Sequence, residues 1–537
     1  MLVVGGGVTG AGVLLEAASR GLRAALVEKD DFASGTSSKS SKLVHGGLRY
    51  LQQKEFALVR ENLLERQRLL GNAPHLVERL PFLIPLFGSG GMVDQAVVRA
   101  YRIALVIYDL AGGWRIGKRH RKIDAEEFAA HLPTVRRDRL VAGFLYYDAH
   151  ADDARLTLAI ARTAVLSHGA VAVNHARVVG LERGEQGNIT GALVQPAGGP
   201  TITVRAKVVV NATGVWADEV MAMGETAHTG TIRPAKGIHL TVRRESLPCD
   251  VAAVVPVAGD RRSIFIVPWG SHTYIGTTDT DYRGDVDRPE VSDEDVDYVI
   301  AAVNAAVSKP IGREDITGAW AGLRPLLAAA SKRKAPSART ADLSRRHQVI
   351  VSASGLVTVT GGKLTTYRKM AEDTVDALAP RLGRLQPSPT KRLRLRGADG
   401  LASFDRLAAT PGGPLDRDGL EHLRRRYGGE ARAVLGLLAE QPALAAPLVE
   451  GLDYLAAEAV YAARYEMAQS LEDVLARRTR AVLLEAEATL RAAPAVAELL
   501  APELGWDEAK KAAEVTSFAR FVEEQLGALS TERETGR

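Results

Sequence analysis

Cysteine is nearly absent from this sequence. The 537 residues include one cysteine, Cys249, so the chain can form neither an intrachain disulfide nor a cysteine metal cluster. This composition is compatible with a reducing compartment, and we expect a cytoplasmic protein. Long apolar runs are lacking too, so the sequence predicts no membrane-spanning helix, and no signal peptide precedes the first strand.

An excess of charge of one sign is also lacking. The 69 basic and 64 acidic residues leave a formal net charge of +5, which is small for this length. Aromatic residues make up 5% of the chain, and no basic stripe carries interleaved aromatics, so we do not expect nucleic-acid binding. The longest apolar patch, Ile103–Leu110, is short and interrupted, and we expect it to be buried in the fold.

The strongest pattern lies in the first thirty residues. Leu2–Val4 predict a strand, and Gly5, Gly7 and Gly10 follow at the spacing of a dinucleotide-binding fingerprint. The first glycine allows a tight turn, the second lets the backbone approach a pyrophosphate, and the third lets the next helix pack closely. A second strand ends at Glu28, whose carboxylate can accept hydrogen bonds from a ribose. An ordinary glycine-rich loop is the alternative, and the complete strand–helix–strand unit argues against it.

A run of small hydroxyl and glycine residues follows this acid. Residues 34–50 read SGTSSKSSKLVHGGLRY and end in basic and aromatic side chains. A nicotinamide-binding domain has no need of such a run at this place. An extended FAD, in contrast, needs small residues along its pyrophosphate and isoalloxazine ring. The run therefore favours FAD as the cofactor.

At this point the chain resembles the FAD-dependent glycerol-3-phosphate dehydrogenases, within the larger group of D-amino-acid-oxidase-like flavoproteins. The resemblance spans residues 1 to about 380 and rests on six motifs, which are GGGVTGAG, TSSKSSKLVHGGLRYL, NATGVWAD, GTTDTDY, GLRPL and GGKLTTYRKMAED. It implies an α/β fold with a doubly wound, Rossmann-like FAD-binding domain and an interleaved antiparallel-sheet substrate domain. A C-terminal all-helical domain is expected to follow. The family normally has several residues before the first strand, whereas here that strand begins at Met1.

The domain boundaries combine this resemblance with composition. Residues 1–384 are expected to form the oxidoreductase domain. Its flavin-binding segments are predicted at 1–75, 140–220 and 315–384, and its substrate-domain segments at 76–139 and 221–314. Residues 385–396, with two prolines and a basic run, are expected to be a linker. The remaining residues, 397–537, predict helices near 419–439, 451–492 and 507–528.

Three shorter segments carry further structural predictions. Val171–Leu181 and Ile202–Val210 each read as a single strand, and the second runs into a small-residue turn at a strand end where doubly wound sheets bind ligands. His150, Asp152 and Asp153 together allow a metal-site interpretation. We expect a helix-capping turn instead, because the sequence shows no further ligand set.

The resemblance assigns FAD contacts to residues from several stretches of the chain. They are Gly5, Gly7, Val8, Gly10, Glu28, Thr36, Ser37, Ser38, Ser41, Leu43, Gly46, Gly47, Val178, Ala212, Thr213, Gly214, Gly362, Lys363, Leu364 and Thr365. We expect non-covalent binding, because the single cysteine lies outside the flavin motifs.

Oxidation of a secondary alcohol by hydride transfer needs a base near the hydroxyl and cations near the carbinol oxygen. A phosphate ester needs further cations at its phosphate. By resemblance, the predicted catalytic residues are His45, Arg49, Arg324 and Lys363. The predicted substrate-binding residues are Arg49, Tyr50, Lys236, His239, Arg324, Lys363 and Thr365.

Several of these assignments have structural alternatives. His45 is the acid–base candidate, and its alternative is a histidine that holds the loop. Arg324 in GLRPL is costly to bury without an anion, which favours an anionic ligand. Lys363 opens a helix whose first amides can stabilise negative charge on the flavin. Thr365 can instead cap that helix, and Lys236 and His239 can instead be strand residues facing solvent.

The leading interpretation is FAD-dependent oxidation of sn-glycerol 3-phosphate to dihydroxyacetone phosphate, with electrons passed to a quinone, in glycerol and glycerophospholipid metabolism. The alternatives are a glycerol-3-phosphate oxidase that uses oxygen, an amine or amino-acid oxidase, and a non-catalytic flavin-binding redox sensor. Because quinones reside in the bilayer, we expect peripheral contact with the inner face of the cell membrane. The expected assembly is a homodimer.

Overall fold

The computed structural model describes residues 1–52, 55–88, 94–225, 231–257, 262–327, 346–408 and 415–529. The strands of this part of the chain are β1 Leu2–Val4, β2 Ala25–Val27, β3 Leu43–Val44, β4 Val77–Phe87, β5 Arg121–Asp124, β6 Leu140–Ala151, β7 Val171–Val173, β8 Ala176–Arg183, β9 Ile189–Pro196, β10 Ile202–Arg205, β11 Val209–Asn211, β12 Ile232–Arg243, β13 Ala252–Pro256, β14 Ser263–Trp269, β15 His272–Gly276, β16 Thr280–Asp281, β17 Ile316–Leu327, β18 Gln348–Val351 and β19 Val357–Thr360.

The helices run between the strands and then continue alone to the C-terminal side. They are α1 Val8–Ser19, α2 Arg49–Gln52, α3 Phe56–Asn72, α4 Gln95–Leu110, α5 Ala125–His131, α6 Asp153–His168, α7 Ala217–Gly224, α8 Asp293–Asn304, α9 Tyr367–Asp376, α10 Ala379–Leu382, α11 Leu401–Ala408, α12 Arg417–Tyr427, α13 Ala431–Glu440, α14 Ala456–Tyr465, α15 Ala481–Leu484, α16 Ala486–Leu504 and α17 Glu508–Leu526. A π-helical turn, Asp473–Arg478, precedes α15.

The first sheet carries the fingerprint. Its strand order is β18–β19–β11–β1–β2–β7, and β1 lies between the parallel strands β2 and β11. Helix α1 packs against α6 and α9 on one face, where Val13 and Leu14 are fully buried. The carboxyl ends of parallel strands meet at one edge of such a sheet, which is where doubly wound folds bind ligands.

The second sheet is larger and mostly antiparallel. Its order is β16–β12–β15–β14–β13–β4–β6–β3, with β17 paired to β12 and β5 paired to β6. The predicted fold class is therefore confirmed: a Rossmann-like sheet, an interleaved antiparallel sheet and a C-terminal helical region. The predicted segment boundaries at 140 and 315 differ from the strand pairing, because β6 and β17 hydrogen-bond within this second sheet.

Two predicted strands are each divided in the structure. The segment predicted as Val171–Leu181 forms β7 and β8, which are separated by a turn in which His175 has a positive φ of 52°. The segment predicted as Ile202–Val210 forms β10 and β11, which belong to different sheets. Strand β10 pairs with β9, in a three-stranded sheet of β10, β9 and β8. An apolar run does not reveal such a change of partner.

The C-terminal region is helical, as predicted, but its helices are shorter than the sequence pattern indicated. The stretch predicted at 451–492 contains α14, the π-helical turn, α15 and the start of α16. The expected linker at 385–396 has several exposed residues but is anchored to the rest of the chain at two places. Leu395 is 1% exposed, and the Thr390 hydroxyl donates to Glu16 at 2.5 Å.

The capping interpretation at the start of α6 is supported by its hydrogen bonds. Asp152 Oδ1 accepts from the backbone N–H groups of Ala154 and Arg155 at 3.1 and 3.2 Å. These bonds satisfy N–H groups that lack partners in the first turn of a helix.

Burial of the apolar patch Ile103–Leu110 was the wrong expectation. The patch lies on α4, where Leu105 and Tyr108 are buried while Ile103 is 60% and Leu110 76% exposed. One face of this helix therefore presents apolar side chains to the surface. Among the described residues, no helix is both long and apolar enough to cross a membrane.

Candidate functional site

The nucleotide end of the site is built from backbone at the end of β1. Gly5 has a positive φ of 109°, and a Cβ atom there would lie 2.7 Å from the carbonyl oxygen of Ala212. A Cβ atom on Gly10 would lie 1.9 Å from the carbonyl oxygen of Gly5. Only glycine fits either place, so the turn and the first turn of α1 stay close together.

The start of α1 faces the hydroxyl run. The backbone N–H of Val8 donates to Ser37 Oγ at 2.8 Å. The positive end of the helix dipole and its first N–H groups form an anion-binding place of the kind that holds a pyrophosphate. Ser37, one of the predicted FAD contacts, thus lies beside this helix N-terminus.

Glu28 lies at the end of β2, next to the glycine turn. Its Oε2 accepts from the Gly6 N–H at 2.5 Å, and its Oε1 accepts from the Asp30 N–H at 3.0 Å. Burial raises the pKa of Glu28 to about 7, although both hydrogen bonds oppose the shift. The carboxyl group is therefore held rigidly and titrates near neutral pH.

An open cleft follows the edge of the first sheet. Most of the predicted FAD contacts line it: Gly5, Gly7, Val8, Glu28, Thr36, Ser37, Val178, Ala212, Thr213, Gly214, Gly362, Lys363 and Leu364. The lining combines bare glycine backbone, a helix N-terminus and a buried carboxyl group. These groups suit the pyrophosphate and ribose of the FAD that the sequence predicts.

The other predicted FAD contacts are not part of the cleft lining, and their contact with FAD stays a prediction. They are Gly10, Ser38, Ser41, Leu43, Gly46, Gly47 and Thr365. Gly46 illustrates their position: its N–H donates to Tyr108 Oη at 2.9 Å. The Tyr108 hydroxyl in turn donates to Asp148 at 2.5 Å, so the HGG turn is fastened to α4.

The cleft also has lining residues that the sequence analysis missed. Trp216 lies against Gly35, and its ring faces the Lys29 ammonium at 4.3 Å. Arg177 and Met223 line the same region. Trp216 stands within the NATGVWAD motif and could have been named, whereas nothing local in the sequence marks Met223.

Two segments that are distant in the sequence meet beside the cleft. The backbone N–H of His45 donates to Thr365 Oγ1 at 3.2 Å, so this threonine hydroxyl accepts from the HGG loop. Lys363 Nζ lies 3.7 Å from the centroid of the Tyr50 ring, a cation–π contact. Lys363 also lines the cleft and precedes the 3-10 turn Leu364–Thr366, which leads into α9. The side chain of Arg49 lies outside the described part of the structure.

Arg324 and Lys236 on the neighbouring strand already have hydrogen-bond or ion-pair partners within the chain. Arg324 Nη1 lies 3.2 Å from Asp279 Oδ1, and Nη2 donates to the Thr278 carbonyl oxygen at 3.1 Å. The anion that burial of this arginine requires is thus supplied in part by Asp279. Lys236 is buried, and its Nζ pairs with Asp295 at 2.5 Å. Its charge is already neutralised, which makes it a weaker candidate for a substrate contact.

His239 is buried, so the solvent-facing alternative for this residue is wrong. Its ring stacks on Trp320 with centroids 4.8 Å apart, and Nε2 lies 2.8 Å from Ser41 Oγ. Burial and the charges of Lys42 and Arg324 hold the pKa of His239 well below its usual range. The imidazole is therefore neutral, and the cations near this end are arginine and lysine.

One acidic cluster has the spacing of metal ligands but is not suited to bind a metal ion. Asp31, His175 and Asp473 bring their ligand atoms within 4.8 Å of one another. Arg478 contacts Asp31 at 2.6 and 2.9 Å, and Arg477 contacts Asp31 at 2.7 Å. The two guanidinium groups compensate the carboxylates, so the cluster is a buried ion-pair network.

Comparisons with known proteins point in the same direction. Residues 1–368 match the family of FAD dependent oxidoreductases, and residues 388–511 match the C-terminal domain of alpha-glycerophosphate oxidase. Glycerol-3-phosphate dehydrogenase 2 of Mycobacterium tuberculosis is 42% identical over 532 residues, covering 98% of this chain and 88% of the relative. The mitochondrial glycerol-3-phosphate dehydrogenase of Mus musculus is 37% identical over 552 residues, covering 98% and 73%.

A solved structure matches nearly the whole fold. The X-ray structure of the glycerol-3-phosphate dehydrogenase from Bacillus halodurans complexed with FAD has a TM-score of 0.78 and 31% sequence identity. The match covers 98% of this chain and 94% of the other. That structure contains the cofactor that the cleft suits.

Proposed function

This chain belongs to the FAD-dependent oxidoreductases, among the glycerol-3-phosphate dehydrogenases, and on that basis we propose that it oxidises sn-glycerol 3-phosphate to dihydroxyacetone phosphate. When bound, FAD supplies the hydride acceptor. The observation that carries the proposal is that Pro325, next to Arg324, and Lys363 line the same cleft as the glycine fingerprint. The same cleft thus combines a dinucleotide cradle with the cation Lys363, and Arg324 is adjacent in sequence to a lining residue.

The residues of the chain divide the work between cofactor and substrate. Gly5, Gly7 and the start of α1 accommodate the pyrophosphate, and Glu28 accepts hydrogen bonds from the ribose. Arg49 and Arg324 bind the phosphate of the substrate, because the planar guanidinium group suits bidentate contact with phosphate oxygens.

Two further residues, Lys363 and His45, act near the reacting carbon. Lys363 stabilises negative charge next to the flavin, and its contact with Tyr50 holds the ammonium in place. His45 is the proposed proton acceptor for the hydroxyl group. Its backbone bond to Thr365 holds the loop against the start of the Leu364–Thr366 turn.

The deciding experiment is a steady-state assay of purified, FAD-loaded protein with glycerol 3-phosphate, glycerol and an amino acid. We expect turnover and bleaching of the flavin with glycerol 3-phosphate alone. Reduction of a quinone or a dye with little peroxide supports a quinone-linked dehydrogenase. Stoichiometric peroxide would instead identify an oxidase, and bleaching by the amino acid would contradict the substrate assignment.

We also propose that the electrons pass to a quinone, which requires access to a bilayer, and the exposed face of α4 supports this part of the proposal. Ile103 and Leu110 on this helix and Trp114 just beyond it are 60%, 76% and 53% exposed. The exposed side chains of Arg99 and Arg102 lie on the same helix. Apolar residues beside arginines suit the interface of a membrane with anionic lipid. The opposite face of α4 carries Tyr108, which holds the HGG turn.

Co-sedimentation with anionic vesicles tests this surface. We expect I103S/L110S to weaken vesicle binding, since a buried apolar side chain contributes about 1.5–3 kcal/mol. Leu166→Ser is the matched control, because Leu166 on α6 is 55% exposed and lies away from α4. Equal loss in both variants, or none in the first, would remove α4 from the proposal. The expected homodimer is tested separately, by analytical ultracentrifugation.

A further inference from the structure

The loop that follows the fingerprint is held from both sides. We define the FAD loop as Thr36–Lys42. On its cleft side, Ser37 Oγ accepts from the first N–H group of α1, and Thr36 and Ser37 line the cleft. On its other side, the carbonyl oxygen of Ser38 accepts from Lys42 Nζ at 3.3 Å and from Arg480 Nη2.

The partner on the far side comes from the C-terminal helical region. Arg480 is 1% exposed, and its Nη2 also donates to Asp153 Oδ1 at 3.1 Å. Asp153 Oδ2 then accepts from the backbone N–H of Ser40 at 3.0 Å and from its hydroxyl at 2.7 Å. One guanidinium group therefore fastens both Ser38 and the carboxylate that holds Ser40.

Arginine is specifically suited to this place. Burial and the charge of Arg480 lower the pKa of Lys42 to about 8, so a second ammonium group beside it would lose its proton readily. A guanidinium keeps its charge and its fork of donors under the same conditions. Arg480 also has a positive φ of 72°, a conformation that costs free energy in a non-glycine residue and persists where the surroundings hold it.

We propose that the C-terminal helical region positions the FAD loop through Arg480, which makes Arg480 a positioning residue for FAD binding. The neighbouring residues Arg477 and Arg478 contribute by neutralising Asp31, which follows β2 in the same cofactor-binding region. This role rests on FAD binding and is independent of which substrate is oxidised.

If the role of Arg480 were merely structural, its substitution would destabilise the chain by the same amount with and without FAD. Substitution of a positioning residue also weakens FAD binding, because the loop must then be ordered at the expense of binding free energy. The two roles are separated by the rise in melting temperature that FAD causes, since that rise depends on the dissociation constant.

The test uses the full chain with Arg480→Lys and Arg480→Met. Arg464→Met is the matched control, because Arg464 makes two hydrogen bonds of 2.6 Å to Glu503 within the helical region and none of these reaches the FAD loop. Apoprotein is titrated with FAD, and the melting temperature and visible flavin spectrum are recorded with and without FAD.

We expect Arg480→Lys to raise the FAD dissociation constant by about tenfold, the loss that one charge-assisted hydrogen bond predicts. The FAD-induced rise in melting temperature should shrink with it, while Arg464→Met leaves both at the wild-type level. If Arg480→Met does not fold, Arg480→Lys keeps the question decidable. A dissociation constant in Arg480→Lys equal to that of the wild type, or an equal change in Arg464→Met, would overturn the proposal.

Discussion

The two ends of the FAD cleft are made in different ways. At the nucleotide end, contiguous residues from β1 to the FAD loop present backbone, and glycine occupies places where a Cβ atom would meet another backbone atom at 1.9 to 2.7 Å. At the substrate end, side chains from segments far apart in the sequence meet, as the contact of Lys363 with the Tyr50 ring shows. An added Cβ atom should therefore disrupt the nucleotide end. Removal of one functional group should disrupt the substrate end.

The largest effect is expected at the nucleotide end, with Gly10→Ala. The added Cβ would lie 1.9 Å from the Gly5 carbonyl oxygen, so α1 must move away from β1. We expect at least about 3 kcal/mol of lost stability and loss of bound FAD. Urea unfolding and the flavin content of the purified protein measure both. A variant that keeps wild-type flavin content would contradict the close-packing role of this glycine.

A smaller effect is expected at the substrate end, with Arg324→Lys. The charge stays, but the fork that contacts Asp279 and that we propose binds the substrate phosphate is lost. Transition-state stabilisation for glycerol 3-phosphate should fall by roughly 2 kcal/mol in kcat/KM, while FAD content is unchanged.

The control for that variant is a surface arginine, Arg313, which pairs with Asp293 and Asp297 on α8. Arg313→Lys should leave kcat/KM at the wild-type value. If Arg324→Lys lowers turnover of glycerol and glycerol 3-phosphate equally, the phosphate assignment is wrong and Arg324 is structural.

A titration sharpens the comparison at the nucleotide end. The pKa of Glu28 is raised to about 7, above its ordinary value, so the folded protein holds this proton where the unfolded chain has lost it. Ribose hydroxyl groups favour the ionised carboxylate, so FAD binding must release the proton at acidic pH. We expect FAD affinity to fall by up to about tenfold for each pH unit below 7 and to level off above it.

Titration of apoprotein with FAD from about pH 6 to about pH 8 measures this dependence. Glu28→Gln preserves the shape of the side chain and cannot ionise, so its profile should be flat. A slope that persists in Glu28→Gln would assign the titration to another group. Because the pKa of Glu28 is raised, the FAD-free protein should also lose stability as the pH rises from the ordinary pKa of a glutamate to about 7.

The smallest effect is expected where a glycine has room. Gly71 lies near the end of α3, and a Cβ atom there would meet nothing within 4 Å. Gly71→Ala should therefore stabilise the protein by about 0.5–1 kcal/mol through higher helix propensity, with FAD content unchanged. Urea unfolding measures the gain. A loss of stability in Gly71→Ala would show that the free space around a glycine does not decide whether a Cβ atom is tolerated there.

The nucleotide end could be predicted because its information is local. The strand, the three glycines and Glu28 follow one another within thirty residues, and each has a role fixed by backbone geometry. The hydroxyl run pointed to FAD for the same reason. The family resemblance supplied the residues of the substrate end, yet it did not show that Asp279 and Asp295 already pair with Arg324 and Lys236.

What escaped prediction depends on partners far along the chain. Apolar content alone suggested that Ile103–Leu110 is buried, because composition does not say which face of α4 meets another element. Thr365 was predicted to contact FAD and substrate, with a helix cap as the alternative, and the sequence did not reveal that its hydroxyl accepts from the backbone of His45. No periodicity links Ser38 with Arg480, and their contact arises from the packing of the helical region.

The contact between Ser38 and Arg480 also concerns the order of events during synthesis. The two residues are 442 positions apart, and translation proceeds at roughly 5–20 residues per second. The strand, glycine turn and first helix of the cofactor site thus leave the ribosome tens of seconds before the arginine that fastens the neighbouring loop exists. The FAD loop is consequently fastened late in the synthesis of the chain, although the glycine fingerprint of the cofactor site is translated long before Arg480.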